Sequence, residues 1–532
     1  MSSKKVIILL ASVQFIFTLD TTFMNVSIST LVQDLHTTVT AIQTAITFYT
    51  LVMAAFMIAG AKIGDIIGRK RAFIVGLSIY ALGSLITSLS PNIQILTIGW
   101  SFLEGIGASL AIPAMFSLIT GNYPPGQARA KAYGMLAAMG AVGAATGPIV
   151  GGLLTTYASW RLGFAGEVVI SGWVLLQHKA IQDAPLGAAK PKFDFVGFIL
   201  SAAGLTTVVT GILLANTYGL VKSRGNFSIG GVQIAHTGGV SPTIIFVIAG
   251  LIILAGFIAW QAREIRLGHP SLVNPKLLKI RAVSAGISSV LMQQFLIAGV
   301  IFALSVYLQL AVGYNAFETG LTLLPMSIAL LIIANIGARL VDTFEPRSMV
   351  MGGFAILLVG VAWLGARVGH LGTGMEFFLP MVIIGVGLGF TASQLGNLVQ
   401  SSVEQEYTSE ASGLSSTFQN LGSSLGTALA GSIIISVLIS TSLTLIQSNT
   451  VLNTSQKSQY TQALAGSVSV LSNQQVQTKL AGQPQDVVNA VVSINSQARD
   501  KSLSVVLVAL AIVGLLGLVS AWLLPKRKLS GT

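Results

Sequence analysis

The sequence predicts an all-α polytopic membrane protein with fourteen transmembrane helices. Three observations carry that prediction. Apolar runs long enough to cross a bilayer recur from end to end. Only 9% of the 532 residues are charged, against about 25% in soluble proteins. The Lys and Arg that are present crowd into loops of one side. The 53% hydrophobic content, 57 glycines and mean hydropathy of +0.80 agree, since Gly is more frequent in membrane helices than in soluble ones. The runs are continuous rather than alternating over about 10 residues, which excludes a membrane β-barrel.

A span needs about 20 apolar residues. The fourteen runs are 6–31, 43–64, 72–90, 94–120, 130–156, 162–178, 193–216, 242–264, 283–311, 316–340, 347–366, 375–400, 411–440 and 502–524. The first follows Lys4 and Lys5 and continues through Leu31 with no A-x-A-type site to close it, so it reads as an uncleaved helix rather than a signal peptide. The sixth is the shortest. Placing the N-terminus inside puts 21 Lys and Arg on the inner side and 8 on the outer, which orients both termini to the cytoplasm of a plasma membrane, as in a bacterial inner membrane. Two connections are long: 179–192 inside, and 441–501 outside, which is rich in Gln, Ser, Asn and Val and reads as a partly ordered polar cap.

Several classes of chemistry are excluded. The net charge of +12 is spread over short loops, where it serves orientation rather than nucleic acid. No Cys is present, so there is no disulfide or thiolate site. His36, His178, His236, His269 and His370 fall in loops or at span ends without ligand spacing, so no metal centre or cofactor is expected. No GxxxxGK[ST] loop occurs, so ATP is not the energy source and an enzyme has little support.

Three acids lie inside the first six spans: Asp20, Glu104 and Glu167. A charge in the bilayer core costs several kcal/mol, so each is expected to face a cavity and to serve function. At 1.5 Å per residue, Asp20 and Glu104 share a level near the midplane, about 15 Å deep. Glu167 is nearer the surface at about 8 Å, where Arg161 could neutralise it. Carboxylates held together out of water can exchange protons for a cation. Asp20 is the expected principal coupling acid and Glu104 the second. A helix hydrogen bond from Asp20 to Thr22 or Asn25 is the plain structural alternative. Gln293, Gln294, Tyr307, Gln309, Gln394 and Asn397 are candidate polar contacts from the later spans, or ties between helices.

Four motifs carry a resemblance. They are LDTTFMNVSIS (Leu19–Ser29), GAKIGDIIGRKRAF (Gly60–Phe73), the fifth-span glycines ending in TGPIVGG, and IGWSFLEGIGAS (Ile98–Ser109) with WRLGFAGEVV (Trp160–Val169). The chain resembles the fourteen-helix drug:proton antiporters of the major facilitator superfamily. Asp20, Thr22 and Asn25 match L-D-x-T-x-x-N-V, although Ser29 stands where the family usually has Pro. Asp65, Gly68, Arg69 and Lys70 match the turn that in the family locks a cytoplasmic gate. Gly143, Gly147, Pro148, Gly151 and Gly152 complete the pattern associated with antiporters. Gly140, Gly143, Gly147 and Gly151 form one smooth face on which a helix can approach closely. Ser101 replaces the family's fourth-helix Arg and Glu104 its Gln; Glu167 and Val169 replace an Asn and a Pro. Leu324–Asp342 resembles a degenerate repeat of the second-helix region.

The resemblance implies two six-helix halves, 1–178 and 283–524, the second including the outer loop 441–501, with an inserted helix pair at 193–264 and a central cavity. It implies proton-coupled export of lipophilic, cationic drugs or toxic compounds by alternating access, with small-molecule substrate, protons and bilayer as partners and a monomer as the unit. A proton-coupled transporter of one native metabolite or lipid would use the same carboxylates, and a receptor or scaffold is the third class.

Overall fold

A computed structural model describes residues 3–123, 127–183, 192–340, 343–369, 374–403, 408–466 and 473–526. Its helices are α1 Ser3–Val26, α2 Ile28–Asp34, α3 Val39–Ile67, α4 Arg69–Ser88, α5 Ile93–Leu96, α6 Gly105–Asn122, α7 Gln127–Tyr157, α8 Arg161–Leu176, α9 Phe195–Tyr218, α10 Pro242–Arg266, α11 Arg281–Tyr307, α12 Ala316–Arg339, α13 Pro346–Arg367, α14 Gly374–Ser401, α15 Thr408–Ser448, α16 Thr454–Gly466, α17 Asn473–Lys479 and α18 Gln485–Trp522. Among the described residues, thirteen helices are long and apolar enough to cross a membrane. The sixteen-residue α8 occupies the expected sixth span. The fourteen segments alternate in direction, so the first and last described helices begin and end on one face, the terminal face. The opposite face is the far face.

The terminal-face parts of loop 179–192 that were expected to link the sixth and seventh spans are described except for 184–191, and Val341, Asp342 and the Asn397 side chain also lie outside the described residues. The first span ends at Val26; Ser27 precedes the short α2 without a side-chain cap bond, its hydroxyl turned to Thr155 (2.7 Å). The fourth span is α5 and α6 joined through a π-helical stretch, Thr97–Glu104. A second π-helical stretch, Leu308–Val312, ends α11. Such stretches widen the backbone ring and occur often at functional sites.

The structure adds detail in two places. The far-face loop 441–501 is helical where described: α15 runs on to Ser448, α18 already starts at Gln485, and α16 and α17 lie between. Ile446, Leu452, Val487 and Ile494 give this cap a small apolar core, which the scatter of Gln and Ser in its sequence hides. The all-α fold carries one small hairpin in a loop. Strands β1 Phe227–Ile229 and β2 Val232–Ala235 form an antiparallel hairpin between α9 and α10. Gly230 and Gly231 turn it with φ of 56° and 84°, the conformation that a two-residue hairpin loop demands.

Helix packing follows the small residues. The face Gly140–Gly143–Gly147–Gly151 of α7 lies on α1: a Cβ on Gly143 would stand 2.6 Å from the Phe15 carbonyl oxygen, and one on Gly151 2.6 Å from the Phe23 ring. Gly152 turns the other way, against Ala316 and Phe317 of α12. The seam between residues 1–178 and 283–524 is hydrogen-bonded on the far side. Gln43 Nε2 donates to the carbonyls of Thr427 and Ala428 (3.2 and 3.0 Å), Ser424 Oγ to Thr47 (3.1 Å), the Phe317 N–H to Thr156 (3.1 Å) and the Ser29 N–H to Gln309 (2.8 Å). The pair α9–α10 packs on itself, on α3 and on α15. Buried Asp194 fixes it by accepting from the Gly197 N–H, Trp260 and Gln261 (2.8, 3.1 and 2.6 Å).

Candidate functional site

The first half brings all three membrane acids to one point. Asp20 comes from α1, Glu104 from the end of the π-helical stretch and Glu167 from α8. One oxygen from each lies within 4.8 Å of the others. Asp20 and Glu104 are fully buried and Glu167 is 3% exposed. Among the described residues, the hydrogen bonds that reach them come from uncharged donors. Trp100 Nε1 donates to both oxygens of Asp20 (2.9 and 3.1 Å). The Tyr80 hydroxyl and Ser84 Oγ donate to Glu167 Oε2 (2.9 and 3.2 Å). Thr87 Oγ1 faces Glu104 Oε1 at 3.3 Å, while Glu104 Oε2 is buried without a partner.

Local sequence explains this convergence. Tyr80, Ser84 and Thr87 sit at i, i+4 and i+7 on α4, so their polar groups share one face. Gly83 lies on the same helix and clears space for the acid: a Cβ there would stand 2.7 Å from Glu104 Cγ and 2.6 Å from the Gly99 carbonyl oxygen. Around the acids, Tyr49 stacks on Trp100 (centroids 5.0 Å), Phe17 meets Tyr80 edge-on (4.6 Å) and Phe164 closes on Trp100 (6.5 Å). Ser101, in place of the family's Arg, is buried and donates to the Ala45 carbonyl of α3 (2.8 Å).

Three site expectations change. Glu167 is not a surface acid: Arg161 turns instead to Asp34 (3.4 Å), the Ser90 carbonyl and the Trp160 ring, which frees Glu167 to turn inward. Asp20 does not bond Thr22 or Asn25. Thr22 returns to the Thr18 and Leu19 carbonyls, and Asn25 donates to Thr21 (3.1 Å), apart from the three acids. Finally, the acids do not line an open cavity; aromatic rings and helices of their own half enclose them. Trp100, Tyr80, Tyr49 and Gly83 were missed by sequence reasoning, although the Tyr80–Ser84–Thr87 spacing on an apolar helix was a readable signal.

The turn at the end of α3 is also tied within its own half. Asp65 pairs with Arg69, Arg69 Nη1 donates to Ser117 Oγ of α6 (2.6 Å), and the Lys70 N–H donates to Asp183 (2.9 Å). Gly68 has φ 104°, a left-handed conformation that disfavours any side chain, and Asp183 would press on one. In the other half, Gln293 donates to Thr391 (2.8 Å), Gln394 to the Gly337 carbonyl (3.0 Å) and Tyr307 to Asp500 (2.8 Å).

The sequence model of the Major Facilitator Superfamily matches residues 10–195 and 203–427. The chain is similar to a probable actinorhodin transporter of Streptomyces coelicolor, with 29% identity over 76% of this chain and 68% of that one. It is similar to the cephamycin export protein CmcT of Amycolatopsis lactamdurans (26%; 78% and 82%) and the multidrug resistance protein Stp of Mycobacterium tuberculosis (25%; 77% and 72%). Among solved structures, a bacterial homolog of the lysosomal transporter Spinster, inward-facing and unoccupied, matches in fold with TM-score 0.60 at 14% identity, covering all of this chain and 99% of that one. A D-xylose–proton symporter matches at 0.55 and 13%, over 80% and 89%. With its fourteen-segment helical fold and a family match over most of its length, this chain belongs to the major facilitator superfamily.

Proposed function

We propose that the chain is a proton-coupled antiporter that exports lipophilic, cationic drugs or toxic compounds across a bacterial plasma membrane by alternating access. The observation that carries this reading is the meeting of three buried carboxylates with only uncharged donors around them. In a low-dielectric interior, acids this close cannot all ionise without a compensating charge, so proton loading and unloading must change how the half packs. Several relatives are named for the transport, export or resistance of antibiotics, and that supports drugs as cargo. Residues 1–178 and 283–524 act as the rocking halves and 193–264 as the inserted pair, with both termini cytoplasmic and one chain as the unit. Asp20 and Glu104 load protons, Glu167 shares their charge, and Asn25 stiffens α1 through its bond to Thr21. Asp65, Gly68, Arg69 and Lys70 form the cytoplasmic gate. Gly143, Gly147 and Gly151 seat α7 on α1, and Gly152 with Pro148 is the bearing on which α12 moves against α7.

The test is flux into proteoliposomes of ethidium and of a neutral lipophilic dye, driven by a pH gradient. Uphill ethidium movement, lost in Asp20→Asn and Glu104→Gln, is the expected result. If the wild-type protein moves neither dye, the drug-export reading falls and one native metabolite or lipid becomes the better cargo.

A further inference from the structure

The far-face seam contains one contact that depends on a single unusual residue. Ser29 lies in the first turn of α2, where backbone N–H groups have no acceptor within their own helix. Its N–H instead reaches across the seam to Gln309 Oε1 at 2.8 Å. Gln309 is 5% exposed and sits in the π-helical stretch that ends α11. Its Nε2 has no partner, so the amide oxygen is the end committed to the contact. Residues on either side of Gln309 hold the stretch in place from the cap side: Arg499 of α18 donates to the Leu310 carbonyl, and Tyr307 donates to Asp500 (2.8 Å). Proline, the residue usual at this place in the motif, fits a first helical turn but carries no N–H and could not make the bond.

We infer that Ser29 and Gln309 form a latch that holds the far side closed, with Gln309 as a positioning residue braced by the stem of the cap. This rests on the rocking of two halves, but not on the identity of cargo or coupling ion. Breaking the bond favours the far-side-open state, because opening alone separates the two groups. The cap thereby acquires a role: it fixes the acceptor of a gate bond rather than covering a pore.

The chain has no Cys, so spin labels go only where they are placed. Gln33→Cys on α2 and Gln497→Cys on α18, both exposed, report the far-face distance in nanodiscs by pulsed electron resonance. Ser29→Ala keeps the N–H and should match the parent distribution. Ser29→Pro and Gln309→Ala should each raise the ratio of long to short distances about two- to tenfold, the effect of one net hydrogen bond, and the double variant should do no more than either single. A Ser29→Pro distribution equal to that of Ser29→Ala, or a double variant that sums the two effects, overturns the latch. The readout needs no transport, so a failed drug assay leaves it standing, and a failed latch leaves the transport reading untouched.

Discussion

In residues 1–178 the buried polar side chains converge; in residues 283–524 they pair off. Asp20, Glu104 and Glu167 share four uncharged donors from α4 and the π-helical stretch. Gln293, Gln394 and Ser289 each find neutral partners, Gln293 at Thr391 and the Leu388 carbonyl, Gln394 at the Gly337 carbonyl and Ser393, and Ser289 at Ser520. Paired amides and hydroxyls tie helices together without net charge. A shared acid cluster changes its internal repulsion with every proton. The difference teaches that the two halves of one fold divide the labour. We propose that the first carries the titrating machinery, and the second the seam acceptors and the cap.

That division can be broken at sites graded by consequence. Gly83→Leu forces a side chain into Glu104 and the Gly99 backbone and should destabilise the protein by about 3 kcal/mol. Gly352→Ala in the second half, where nothing lies within 4 Å, should leave the thermal midpoint unchanged. Trp100→Phe keeps the stack on Tyr49 but removes the donor shared by both Asp20 oxygens. It should cost about 2 kcal/mol and lower uphill flux about tenfold, read in the same vesicles. Gln293→Leu loses its ties to Thr391 and the Leu388 carbonyl, while Thr391 still has its own helix carbonyls; about 1 kcal/mol is expected, with uphill flux kept. Asp34→Asn weakens the half-exposed pair with Arg161 and should cost under about 1 kcal/mol, fading further with salt. Equal sensitivity of Trp100 and Gln293 in the flux assay would erase the contrast between the halves.

Much of this was legible in the sequence. Continuous apolar runs located each of the fourteen segments, because a bilayer permits little else. The depth of Asp20 and Glu104 along their spans put them at one level. What stayed hidden depends on rotation about helix axes and on distant partners. Glu167 looked shallow because depth counts residues along a helix but not where a neighbour such as Arg161 turns. The α16–α17 cap looked irregular because its apolar core is only a few residues set among amides. The bond from Ser29 to Gln309 links residues 280 positions apart, beyond any local pattern.

We propose that the enclosed acids couple transport without holding the cargo, since the protein buries all three. The direct measurement compares two modes in Asp20→Asn proteoliposomes: downhill ethidium flux with no pH gradient, and uphill flux driven by one. Downhill flux should persist near the wild-type rate while uphill accumulation disappears. Loss of both modes together would make Asp20 a cargo contact, and retention of uphill flux would remove it from coupling; either result contradicts the account.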